Sequence, residues 1–155
     1  MGLLTTALRG AAAGAAGTTA LNAITYLDMA VRGRPSSSTP EQTVEAGARL
    51  VGARVPGEGD ARQARLTGLG ALTGLAAGVG AGVGLAALRS AGWRHSAVTG
   101  GLVASVLAML AANGPMAALG VTDPRTWGAE AWAADVVPHV GYGLVTAAVL
   151  DALEG

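Results

Sequence analysis

From Leu66 to Leu88 the chain runs 23 residues without a charge, and Gly70, Gly74, Gly78 and Gly82 recur there at every fourth position. Other apolar runs bracketed by charge follow the same plan. Together they predict four bilayer spans, at about residues 4–29, 66–88, 96–119 and 131–150. A soluble core helix rarely needs more than about 14 uninterrupted apolar residues, whereas a bilayer crossing needs about 20. Glycine costs a water-exposed helix about 1 kcal/mol against alanine. Lipid removes much of that penalty, because a backbone with no water to bond must stay helical. The four glycines then flatten one helix face for close packing, and the expectation is that this stripe joins copies into a homo-oligomer. The first run begins at Leu3 or Ala11 and ends at Met29. It lacks the charged leader of a secretory signal, since Arg9 follows Leu3 and Leu4, so a retained helix is expected.

The connections are unequal. Arg89–His95 and Gly120–Glu130 are short and make their flanking spans antiparallel, whereas the segment 30–65 is long and polar. Within it, Thr39-Pro40-Glu41-Gln42 places a hydroxyl at N-cap, proline at N1 and glutamine at N3. Val44, Ala48, Val51 and Val55 then share one face, Glu45 and Arg49 pair on the other, and Pro56-Gly57 ends the pattern. A short amphipathic helix follows, lying on the membrane surface or packed on the end of the bundle. The predicted fold class is all-α: one integral membrane bundle of four transmembrane helices with a short amphipathic helix in the first loop.

Composition narrows the function classes. The 155 residues are 51% apolar, 13% charged and carry no net charge, so no basic surface points to nucleic acid. Arginine supplies every basic residue and phenylalanine is absent, the mark of a GC-rich bacterial genome. With no cysteine, disulfides, thiolate zinc sites and thiol catalysis are excluded. Four spans put Arg9, Arg89 and Arg94 on one side. The other side holds Arg32, Arg34, Arg49, Arg54, Arg62, Arg65 and Arg125. That balance predicts a multi-pass protein of the cytoplasmic (inner) membrane, with the first and third loops in the cytoplasm and both termini outside. Trp93, Trp127 and Trp132 fall at span ends, where interface anchors belong.

Ionisable groups inside a span cost about 3 kcal/mol on insertion, so they and the polar residues near them mark candidate sites. These are Asn22, Tyr26 and Asp28 in the first span, Asn113 in the third, and Asp135, His139 and Tyr142 in the fourth. Antiparallel threading brings the ends of spans one and three and the start of span four to the same side of the bilayer. Asp28, Asn113, Asp135 and His139 are therefore expected in one polar layer. Asp135 and His139 stand at i,i+4 on one face, a pair suited to proton relay or to a structural ion pair with a loop arginine. Pro138 is expected to free the Ala134 carbonyl and kink span four, and Asn113-Gly114-Pro115 to break span three at a similar depth.

Other chemistries lack their residues. His95 and His139 begin spans on opposite sides, which disfavours a bis-histidine haem. One histidine with two carboxylates is a poor metal set, and the Gly-rich span follows no strand and precedes no lysine. No catalytic residues, metal or cofactor are assigned.

From Ala108 to Asp151, the pattern MLAANGPMAALGVTDPRTW followed by WAADVVPHVGYGLV resembles the C-terminal part of the YagU-like bacterial inner-membrane proteins. The matching residues are Pro115, Pro124, Trp127, Asp135, His139 and Tyr142, with a looser likeness over Gly14–Pro35. Asp135 stands where that family tends to carry Glu, and the second loop is shorter. The resemblance implies an inner-membrane protein of uncharacterised activity. The expected role is structural or accessory, through a membrane partner or the lipid bilayer itself, with a small transporter or channel at Asp135/His139 as the alternative.

Overall fold

The computed structural model describes residues 2–93 and 96–155, so the readings of Arg94 and His95 lie outside the described residues. Among the described residues there are five α-helices: α1 (Leu3–Arg32), α2 (Thr39–Leu50), α3 (Gly59–Ser90), α4 (Ala97–Ala118) and α5 (Ala129–Glu154). A 3-10 turn, Pro124–Thr126, lies between α4 and α5. α1 packs on α3 and α5, α5 on α4, and α4 on α3, closing a four-helix ring. Three members, α3, α4 and α5, are long and apolar enough to cross a membrane. α1, at 30 residues, is also long enough but carries Arg9, Asn22 and Asp28 along its length.

Size is sorted inside-out. The buried core is mostly alanine (Ala13, Ala81, Ala86, Ala104, Ala108 and Ala147), with Leu85, Tyr142 and Leu150 as its large members. Leu72, Leu102, Val106 and Leu110 face outward, each more than half exposed. In water such a surface would be a large apolar patch; against acyl chains it costs nothing, and small residues let helices approach to backbone contact. Close backbone approaches join α4 to α5, where a Cβ on Gly143 would strike the Gly101 carbonyl, and α1 to α3. A Cβ on Gly82 would collide with the Gly10 carbonyl and stand 2.6 Å from Gly14 Cα. One on Gly14 would stand 2.6 Å from the Gly78 carbonyl oxygen. Two glycines of the span-two stripe, Gly78 and Gly82, are thus used inside the chain. Gly70 meets Pro40 of α2, and Gly74 alone faces open space.

Three local expectations need correction. α2 is packed on the bundle, running antiparallel beside the first turns of α3, and its contacts differ from the local ones expected. Pro40 lies against Gly70, Glu41 accepts from Thr67 Oγ1 at 3.1 Å, and Glu45 pairs with Arg62. Glu45 therefore takes its partner from α3 and not from Arg49, because a docked helix offers a closer guanidinium than its own next turn. Arg62 also holds the Glu45 carboxyl below the usual carboxylate range. This docking explains why α3 starts at Gly59, a charged stretch before the apolar run. The N-cap of α2 is Ser38, not Thr39, and Gln42 donates to Ser38 Oγ at 2.9 Å in place of the expected capping box. α2 ends at Leu50, where Val51, Gly52 and Ala53 amides fold back on the last carbonyls, so Pro56-Gly57 lies beyond it.

The third correction concerns the prolines. Neither breaks its helix: Pro115 lies in the last turn of α4 and Pro138 within α5. Each removes one backbone N–H, but lipid offers the freed backbone no better partner than the helix, so the helix continues.

Candidate functional site

The polar residues of α5 rise in one line from its start toward the bundle centre. At about 1.5 Å per residue, Asp135 stands about 9 Å along the helix, His139 about 15 Å and Tyr142 about 20 Å, near its midpoint. Asn113, in the last turns of α4, donates its amide to Asp135 Oδ2 at 2.9 Å. His139 Nδ1 lies 2.7 Å from the Asp135 carbonyl oxygen and 3.5 Å from Asp135 Oδ1. A carbonyl can only accept, so Nδ1 is the donor of this hydrogen bond. His139 is buried and Asp135 is partly covered.

Deeper still, Tyr142 is fully enclosed, and its hydroxyl donates to the Gly78 carbonyl at 2.6 Å across the bundle. Its ring fits because Gly17 and Gly78 carry no side chain: a Cβ on Gly17 would strike Thr146 Oγ1 and come within 2.8 Å of the ring. Thr146 in turn donates to the Tyr142 carbonyl at 2.8 Å.

The expected polar layer is therefore half assembled. Asn113, Asp135 and His139 meet. Asp28 reaches the same end of the bundle but is taken by Arg34 at 2.9 Å and Arg32 at 3.5 Å, and Arg32 continues to Glu130 at the start of α5. Asn22 and Tyr26 are exposed and outside the cluster. The reason is the face of α1. Its inner stripe runs Gly10, Gly14, Gly17, Leu21, Ile24 and Asp28, and Asn22 and Tyr26 fall off that stripe. Trp127 and Trp132 pack with ring centroids 5.1 Å apart and planes tilted by 59° beside this end, and Trp127 donates to Thr122 Oγ1 at 2.8 Å. In the same loop Arg125 holds Asp123 below, and Asp123 holds Arg125 above, their usual values.

No protein-family model, curated protein or solved structure matches this chain. Among the described residues no group of three or more His, Cys, Asp or Glu side chains is placed to hold a metal ion.

At the opposite end sits a residue the sequence reading treated as an ordinary loop charge. Arg89 is 6% exposed and pairs through Nη1 with Asp151 and, at 3.3 Å, with Glu154. Its Nη2 has no hydrogen-bond partner, and a Cβ on Gly100 would stand 3.1 Å from it. The signal was present: Arg89 directly follows the apolar run of one span, and Asp151 directly follows that of another ending on the same side.

The Asn113–Asp135–His139 set carries a stability prediction. His139→Ala removes the imidazole that covers Asp135, and Asn113→Leu strands Asp135 Oδ2. Each is expected to cost about 1–3 kcal/mol. Detergent unfolding followed by helical circular dichroism checks this; an unchanged midpoint for both variants would show that water, not these partners, satisfies the carboxylate.

Proposed function

We propose that this chain is a four-span protein of a bacterial inner membrane, with α1 as the fourth span, serving a structural or accessory role as a membrane-organising or partner-binding protein. One observation carries the reading. Inside the ring the helices meet backbone to backbone and the polar side chains of α5 are engaged with one another. The unengaged surface lies outside it, on the α2–α3 hairpin, where Leu50 and Val51 are 77% and 76% exposed. The length of α1 and its glycine contacts with α3, itself an apolar helix, support the four-span reading. The arginine balance favours the hairpin on the cytoplasmic side, and the YagU-like resemblance agrees with an inner-membrane location. A homo-oligomer remains part of the proposal, now resting on the open face of α3 around Gly74.

A second reading, a small transporter or channel, is favoured by the buried His139 beside Asp135. One pair of experiments separates them. The accessory role predicts a stoichiometric partner that co-purifies with the full chain and is lost when residues 39–58 are replaced by a flexible linker. It also predicts no flux in proteoliposomes under a pH gradient. Sustained flux that His139→Ala abolishes would overturn it in favour of the transporter.

A further inference from the structure

Between the end of α2 and the start of α3 lies a groove of about 600 Å³, lined by Glu45, Arg49, Arg54, Val55, Glu58 and Arg62 among others. Its charges are unequally engaged. Glu45 and Arg62 are spent on each other. Arg49 and Arg54 are exposed, and neither has a carboxylate within ion-pair distance among the described residues; nor has Glu58 a cation. Two guanidiniums and one carboxylate are thus left around a space of a size that takes a small polar ligand. Arginine forks match phosphate oxygens, and a lone carboxylate beside them repels a simple anion but accepts from an ammonium.

We propose that this groove binds a phosphoethanolamine group, its phosphate on Arg49 and Arg54 and its ammonium on Glu58. The inference deepens the membrane-organising side of the proposed function and rests on it for one point, the side of the membrane. α3 has 32 residues and so is about 48 Å long, whereas hydrocarbon occupies about 30 Å and the whole bilayer about 40–45 Å. The first turns of α3, which form one wall of the groove, therefore stand at the outer edge of the headgroup layer. A phospholipid headgroup is the abundant source of this chemistry there, and the free phosphoethanolamine ion is the other.

The test uses the full chain in detergent, with native mass spectrometry of lipid retention. Phosphatidylethanolamine, phosphatidylcholine and phosphatidylglycerol of identical acyl chains are added in turn. Wild type is expected to retain the ethanolamine lipid roughly five- to tenfold better than the other two, about one charge-assisted contact. Arg49→Ala with Arg54→Ala should lower retention of all three, because the phosphate contact is common to them. Glu58→Gln should erase the preference for ethanolamine over choline and leave phosphatidylglycerol no weaker. Displacement by millimolar free phosphoethanolamine assigns the site to the soluble ion, and its failure to displace assigns it to the lipid. All three side chains are exposed and the Glu45–Arg62 pair is untouched, so the variants should keep wild-type helicity and unfolding. Equal retention of the three lipids together with no binding of free phosphoethanolamine, or an unchanged preference in Glu58→Gln, would overturn the proposal. Partner co-purification and membrane sidedness are separate measurements, so their failure would leave this result standing.

Discussion

Gly82→Leu is expected to unfold the α1–α3 contact, at a cost of about 4 kcal/mol, the upper end of what overpacking does. The obstruction is backbone, the Gly10 carbonyl and Gly14 Cα and N, which cannot swing aside as a flexible side chain can. The only relief is separation of the helices, and that separation opens the neighbouring contact of Gly14 with Gly78. Gly74→Leu is the matched control, eight residues earlier on the same helix, with nothing within 4 Å of its Cβ position. It should shift stability by no more than about 0.5 kcal/mol. The pair also divides two uses of the stripe. If copies of the chain meet through α3, the leucine at position 74 changes the particle size in detergent while the fold survives. Unfolding midpoints by circular dichroism and size by light scattering read both; equal midpoints for the two variants would refute the account of the interface.

The second large effect is expected at Arg89. Arg89→Met leaves Asp151 and Glu154 facing each other without the cation they share, and removal of one member of a buried ion pair costs about 3 kcal/mol or more. Asp151 is 45% exposed, which keeps the expected loss near the bottom of that range. The partial rescue is the informative part. Asp151→Asn with Glu154→Gln on the Arg89→Met background should recover most of the loss, because the penalty is the uncompensated negative charge and not the missing contact. A triple variant no better than Arg89→Met alone would show that packing of the arginine stem against α4 and α5 was what mattered.

The sequence carried the apolar runs, their antiparallel order and the meeting of Asn113 with Asp135 and His139, because these depend only on run length and on which ends share a side. It did not carry the faces. Period arguments find a buried face by contrast with a polar one, and helices apolar on every side offer no contrast. Hence the inner stripe of α1 was invisible, and Asn22 and Tyr26 were grouped with Asp28 although they lie off it. The same blindness assigned the span-two glycines to a second copy, since a flat face does not say which helix will occupy it. Gly10, Gly14 and Gly17 were the available clue, a small-residue row of the same kind in the first run. The partner of Glu45 was missed for another reason. An i,i+4 pair such as Glu45 with Arg49 is a local expectation, and a partner from a distant turn, here Arg62, wins whenever the chain brings it closer.

The inside-out sorting of size has an evolutionary consequence. In a water-soluble helix the exchange of glycine for alanine is among the safest improvements, worth about 1 kcal/mol. It also needs a single base change between GC-rich codons, so mutation in such a genome offers it constantly. In this bundle the same drift is harmful at Gly14, Gly17 and Gly82, where one methyl group runs into the backbone of a neighbouring helix, and harmless at Gly68, Gly74 and Gly80, where it meets nothing. Selection on this chain should therefore be visible as a veto on a methyl group, position by position, and not as a demand for any particular chemistry.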